Sequence, residues 1–309
     1  MSAHEIQLTK NEPRGLTLSR RDSLWGYLFI APQVIGFLLF VLGPLVAILV
    51  FSTQSRNLLS GEVSSVGLAN FRYMFQEDPV FYQMLRNTLT FTAGLVPMNV
   101  ILALMLAMLL APQFKGVSFF RAVFFAPVVT SGVAWIIVWT FILQGRNGLL
   151  NQSLAVIGIQ GPNWLFEPAS AMFSVIFVRV LKNVGLNMVI FLAAMQDLPR
   201  DHIEAAQVDG ANRWDIIRQI VLPFLAPSIL LVTVITIIGS LNVFDHILLL
   251  TGGGPSNSTM VLAYYVYFNA FKSYEIGYGS SIAVLLFVIA MILTIAQWSV
   301  RRRFIYHEH

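Results

Sequence analysis

Cysteine is absent from the 309 residues. That excludes a disulfide framework, a thiolate metal site and a cysteine nucleophile. Charge is scarce too: Asp, Glu, Lys and Arg make up 11% of the chain, against about a quarter in an average soluble domain. No G-x-x-x-x-G-K-[ST] occurs, so the chain has no phosphate-cradling loop of its own. No H-E-x-x-H occurs, and the five histidines are scattered, with His4, His307 and His309 near the ends and His202 and His246 far apart. No metal motif follows from them. What is present is apolar: 57% of residues, at a mean hydropathy of +0.73. A soluble globular enzyme, a disordered chain and a nucleic-acid binder are all excluded, and a membrane protein is expected.

Six apolar runs can cross about 30 Å of hydrocarbon as helices: Leu24–Phe51, Thr88–Ala111, Ala122–Leu143, Ala171–Met195, Ile220–Phe244 and Ser281–Val300. They lack the short alternating pattern of barrel strands. The first is too long for a signal peptide and has no small-residue cleavage site after it, so it reads as a retained span. With the N-terminus inside, the inner segments hold twelve Lys and Arg and the outer loops five. That excess places both termini in the cytoplasm. The net charge of +4 therefore reflects topology, and nucleic acid is not expected as a partner. The expected fold is all-α, with six transmembrane helices. Residues 1–23 are a cytoplasmic tail, 24–84 the first helix with its outer loop, 85–300 the core and 301–309 a basic cytoplasmic tail. Ser258–Tyr274, rich in Tyr and Phe, suits a helix lying at the headgroup level.

The loop at 197–223 is too long to be a plain connector between antiparallel helices, which takes about two to eight residues. Pro199 ends what precedes it, Asp201 is a candidate N-cap with Glu204 three residues on, and Gly210 is a natural stop. A thin helix over about 201–209 follows, with Ala205, Ala206 and Gly210 leaving room for another surface. A second stretch, Trp214–Val221, runs into Leu222-Pro223, where the fifth span is expected to begin.

Glu204-Ala205-Ala206, three residues, Gly210, nine residues, then Ile220-Val221-Leu222-Pro223 resembles the EAA loop of ATP-binding-cassette importer permeases. Asp209-Gly210-Ala211 falls within the same pattern. Leu68-Ala69-Asn70-Phe71, Arg86-Asn87-Thr88 and Leu250-Thr251-Gly252-Gly253-Gly254-Pro255 are similar to the carbohydrate-uptake class, in particular to its subunit with a G-G-P outer loop. The resemblance implies a type I importer in a bacterial or archaeal cytoplasmic membrane. It implies a second homologous permease subunit, two cytoplasmic ATPase subunits that carry ATP and Mg, and an extracytoplasmic solute-binding protein. The chain itself would be no enzyme and bind no cofactor. Glu204, Ala205, Ala206, Asp209, Gly210, Ala211, Leu222 and Pro223 would couple to the ATPase, with Glu204 pairing an Arg or Lys there.

Two cations stand inside the fourth run. Arg179 and Lys182 each cost roughly 2.5–3.5 kcal/mol at a helix centre. With Asn183, Leu186 and Asn187 they form one stripe, which should face the bundle interior or a water-filled cavity rather than lipid. Thr236, Gly239, Ser240 and Val243 form a second stripe in the fifth run, with Asn242 and Asp245 near its outer end. These two stripes are the candidate substrate path, with helix–helix hydrogen bonding as the alternative. Phe244 and Trp135 are candidates for stacking on a sugar. A neutral sugar or oligosaccharide is the expected solute. The two cations leave an anionic one, such as glycerol phosphate or a sugar acid, open. An ion-coupled secondary transporter is a more distant alternative, since the six runs contain no Asp or Glu. A lipid phosphatidyltransferase is disfavoured, since Arg213 is displaced from its place in D-G-x-x-A-R and no second aspartate motif follows.

Overall fold

The computed structural model describes residues 20–57, 59–112, 114–145 and 147–305. Most of the expected N-terminal tail, the last four residues of the basic C-terminal tail, and Arg146 lie outside them. The chain forms two units, Met1–Ala47 and Ile48–His309. In the first, α1 (Arg20–Phe37) runs through a π-helical turn at Leu38–Leu42 into α2 (Gly43–Ser52). The π turn sits beside Pro44, whose ring nitrogen has no proton for the regular ladder. The side chains of α1 stand free of the rest of their unit: Phe29 is 80% exposed. Hydrocarbon satisfies such a surface.

The second unit takes in the end of α2 from Ile48 and then a hairpin of β1 (Gln54–Arg56) and β2 (Val63–Ser65), paired antiparallel. Then come α3 (Ala69–Gln76), α4 (Phe81–Leu110), α5 (Val117–Val129), α6 (Gly132–Leu143), α7 (Leu149–Val156) and α8 (Pro168–Gln196). Next, α9 (Arg200–Val208), α10 (Arg213–Ile216), a π turn at Ile217–Val221 and α11 (Leu222–Phe224) lead into α12 (Ala226–Leu241). Finally α13 (Asp245–Leu250), α14 (Leu262–Tyr267), a π turn at Phe268–Lys272 and α15 (Ile276–Ile305) close the chain. The fold is mostly helical. The most apolar stretch of α8 is 61% buried, against 28% for α4 and 22% for α15, so α8 is the helix the others surround. One core joins Phe91, Leu95, Val175, Val178 and Ile282, and a second joins Ala103, Ala107, Val184, Met188, Phe191 and Val232.

Four of the six expected runs are continuous helices: Trp25–Ser52, Phe81–Leu110, Pro168–Gln196 and Ile276–Gln297. The other two are broken. The third bends by 103° between α5 and α6, and the fifth by 65° between α10–α11 and α12. The fifth therefore becomes a straight apolar helix only at Ala226, not at Ile220 or Leu222-Pro223, because Pro223 and Pro227 interrupt the ladder on either side of Leu225. The second span starts at Phe81, earlier than Thr88, with Val80 at its N-cap; a turn at Asp78 leads into it, Oδ1 accepting from the N–H groups of Val80 at 2.9 Å and Phe81 at 3.2 Å. Ser258–Tyr274 holds α14 and a π turn. Tyr264, Tyr265, Asn269 and Ala270 are buried, so this segment packs into the fold.

Candidate functional site

Pro199, extended at φ −62° and ψ 125°, precedes α9 directly, and no side chain caps that helix. The expected Asp201–Glu204 capping box is therefore absent. Asp201 instead lies in the first turn, where a carboxylate suits the positive end of the helix. The capping box forms one helix later. There Asn212 accepts from Asp215 N–H at 3.1 Å and Asp215 accepts from Asn212 N–H at 3.2 Å. The far end of α9 is as expected. Gly210 takes φ +84°, its N–H donates to Gln207 O, and Ala211 N–H donates to Ala206 O at 2.9 Å. This is a Schellman ending. A Cβ at Gly210 would meet nothing within 4 Å, so its backbone conformation, not crowding, asks for glycine. Glu204, Ala205, Asp209 and Pro223 are exposed, and Ala206, Ala211 and Leu222 half-buried. Two apolar side chains stand in the open beside them: Val208 is 87% exposed and Trp214 66%.

The polar face of α8 is spent on neighbouring elements. At the 103° break, Thr130 and Ser131 are extended, which strands Thr130 O, while Pro127 O accepts from Thr130 N–H at 3.2 Å. In an apolar setting a stranded carbonyl costs several kcal/mol if left unmet. Lys182 meets it: its Nζ donates to Thr130 O at 2.5 Å and adds a second donor to Pro127 O. A cation also suits the negative end of α5. One turn on, a Cβ at Gly185 would stand 2.0 Å from Phe124 O, so glycine there lets α5 lie directly against α8. Arg179 Nη1 is 3.8 Å from Asp245 Oδ1 and 3.3 Å from Nδ1 of the fully buried His246. His246 Nδ1 in turn lies 2.8 Å from Asp245 Oδ1. A Cβ at Gly132 would be 3.6 Å from Asp245 Oδ2. Opposite charges thus stand at the two facing half-helix ends, Lys182 at the end of α5 and Asp245 at the start of α6.

Further along α8, Asn187 Nδ2 donates to Asn99 Oδ1 at 2.5 Å and lies 3.3 Å from Thr236 Oγ1. Ser240 Oγ meets Thr92 Oγ1 at 2.9 Å, and Val243 is buried. These groups hold α4, α8 and α12 together. Asn183, half-buried, and Leu186, exposed, make no such bond among the described residues. Gly239 has open space beside it, and Asn242 is exposed with its amide turned back to Ile238 O. Trp135 Nε1 donates to Val178 O, and Phe244 packs on Tyr264 and Tyr267.

Residues 79–306 match the family described as binding-protein-dependent transport system inner membrane component. The chain belongs to this family. It is 34% identical over 293 residues to the probable ABC transporter permease protein YesP of Bacillus subtilis, covering 94% of both chains. It is 33% identical over 275 residues to the arabinooligosaccharides transport system permease protein AraP of the same organism, covering 87% of this chain and 86% of that one. Among solved structures, a chain of a bacterial alginate ABC transporter, in complex with an alginate pentasaccharide-bound periplasmic protein, superposes with a TM-score of 0.79 at 25% identity, covering 93% of this chain and 96% of that one. The fold is that of a type I importer permease, a membrane component rather than a catalytic one.

As an inner-membrane transport component, the chain relies on polar residues that the sequence reading passed over. Asp78 is buried, and its Oδ2 accepts from Tyr265 at 2.8 Å and from Tyr278. Burial and that bond to Asp78 push the Tyr265 phenol up, so it stays a donor. Asp78-Pro79 ahead of a long apolar run is a turn signal that would have marked it. Asn99 is fully buried, on the helix face of Thr88 and Thr92, and that stripe was readable. The outer motifs also converge. Asn87 Nδ2 donates to Asn257 O and Met260 O, and Thr88 Oγ1 accepts from Leu262 N–H, so Arg86-Asn87-Thr88 clasps the loop that holds Gly252-Gly253-Gly254-Pro255. Asn70 ties Leu68-Ala69-Asn70-Phe71 to Ser52 O and Gln54 O.

Proposed function

We propose that this chain is one of two membrane subunits of an ATP-driven importer that takes a neutral oligosaccharide from an extracytoplasmic binding protein, with both chain termini in the cytoplasm. Two ATPase subunits, which hold ATP and Mg, grip the 197–223 loop. The carrying observation is that loop. α9 is closed at its C-terminal end by its own backbone, yet Glu204, Ala205, Asp209 and Val208 remain exposed, in frame with the E-A-A…G spacing. Glu204 pairs with a basic residue of the ATPase, Ala206 and Ala211 permit close approach, and Leu222-Pro223 pass the motion into α12.

The sugar class is supported by a relative whose name carries arabinooligosaccharides; the alginate of the structural neighbour is an acidic polysaccharide, so the neutral reading rests on the charges of this chain. The anionic reading is disfavoured by the cations themselves: Lys182 is taken up by backbone carbonyls and Arg179 by Asp245. The path is assigned to the residues with free surface, Asn183, Leu186, Gly239 and Asn242, while Arg179, Lys182, Asn187, Thr236, Ser240 and Val243 hold the helices around it. The test is Gly210→Val in the reconstituted complex. A branched side chain at φ +84° is strained, so stimulation of ATP hydrolysis by loaded binding protein should fall at least about tenfold with assembly kept. Retained stimulation in an assembled complex overturns the coupling role.

A further inference from the structure

Between the β1–β2 hairpin, α3 and the start of α15 lies a cleft of about 450 Å³ that none of the roles above uses. It is large enough for a small-molecule subsite. Ser55, Arg56, Asn57, Asn70, Tyr73 and Glu275 line it. Asn57 spends Oδ1 on the N–H groups of Leu59 and Ser60 and keeps Nδ2 free. Asn70 spends its amide nitrogen on two carbonyls and keeps Oδ1 free. Ser55 Oγ, the Tyr73 hydroxyl and the Glu275 carboxylate have no partner among the described residues. The Arg56 guanidinium lies 4.4 Å over the Phe51 ring, and its Nε is buried without an acceptor. Two residues earlier, on the same strand face, Gln54 Oε1 is buried without a donor.

The walls are fixed in advance. A Cβ at Gly277 would stand 1.9 Å from Gln54 O, so α15 lies directly on β1. Tyr73 is 45% exposed, and its ring is held edge-on against Tyr278 at 5.2 Å. The cleft thus offers unpaired donors, unpaired acceptors, one cation, one anion and one steadied aromatic ring. A molecule that fits has many groups that each donate and accept, an apolar face and no net charge. We infer that this cleft is a subsite for a neutral oligosaccharide on the outer face of the chain. The inference rests on the orientation and solute class proposed above.

The test is calorimetric titration of the complete detergent-solubilised complex, without binding protein, with maltopentaose, arabinopentaose and cellopentaose, and with alginate pentasaccharide as the acidic arm. At least one neutral sugar should bind more tightly than the acidic one, and Arg56→Ala and Tyr73→Ala should each weaken it about tenfold. Glu275→Gln, an isosteric change on an exposed side chain, keeps the test open if either variant misfolds. Absence of binding by all three neutral sugars, a preference for the acidic one, or binding unmoved in the variants overturns the proposal. So does loss of stimulation by the binding protein in Arg56→Ala with sugar binding intact, which assigns the cleft to the protein. Sugar uptake by the wild-type complex is measured alongside. If it is absent the function reading fails, while the titration still decides the cleft.

Discussion

α8 and α9 are joined by three residues, 197–199, and treat their polar side chains in opposite ways. On α8, Arg179, Lys182 and Asn187 are each bound by a neighbouring element. On α9, Glu204 and the adjoining Asp209 are exposed and bound by none among the described residues. The chemistry of the side chains does not explain this; their surroundings do. A cation on an apolar helix is tolerated where it removes another polar defect, and the 103° break in the third span is such a defect. A carboxylate in water needs no partner, so an unpaired one on a helix whose C-terminal end its own backbone closes is free for another molecule. Pairing marks the residues that hold the fold, and exposure marks those that meet a partner.

The sharpest way to break that comparison is Lys182→Met. The methionine fills similar volume but leaves Thr130 O unmet, at several kcal/mol in an apolar setting, while Pro127 O keeps the Thr130 N–H at 3.2 Å. The yield of assembled complex should fall about tenfold or more, read by fluorescence-detected size exclusion, and Lys182→Arg should recover part of it. Equal yields from Lys and Met would show that the break is held by something else. A smaller effect is expected at Arg179. Removing one partner of a buried ion pair costs about 3–5 kcal/mol, but Asp245 is 45% exposed at its side chain, so the loss in Arg179→Met should be nearer 1–3 kcal/mol. The double variant Arg179→Met/Asp245→Asn, which removes both charges and keeps an amide oxygen for the buried His246, should regain thermal stability. If the double variant is no more stable than Arg179→Met, the pair is not the source of the cost.

Much of this was legible in the sequence, and the failures have physical causes. Runs of apolar residues report length, so the four continuous spans were readable near their true extents. Such runs do not report continuity. Nothing in Ala122–Leu143 but Pro127 hints at a 103° bend, because the compensating group is Lys182, more than fifty residues away. For the same reason the stripe of Arg179, Lys182, Asn183, Leu186 and Asn187 could not say whether water or a helix lay opposite; Lys182 and Asn187 are buried against neighbouring elements and Leu186 is exposed. At 197–223 the pattern was local, and local chemistry was enough for the glycine stop, which ends α9 at φ +84°. The exception was the cap, where Pro199 forces the chain to enter α9 one residue before Asp201 and leaves Asn212 and Asp215 to form the box instead.

The smallest expected effect lies on α9 and bears on the other half of the comparison. Glu204 is exposed and joined to nothing among the described residues, so Glu204→Ala removes no bond seen there and replaces one good helix former with another. The melting behaviour of the complex should stay within about 0.5 kcal/mol of wild type. ATP hydrolysis stimulated by loaded binding protein should nonetheless drop several-fold, because a charge-assisted contact with the partner is lost. The two readouts must separate for the rule to hold. If stability and coupling fall together, Glu204 is bound within the assembled particle as firmly as Lys182 is within the chain, and exposure no longer distinguishes the residues that move from those that hold. If neither falls, α9 meets its partner through Val208 and Trp214, and the apolar side chains carry the grip.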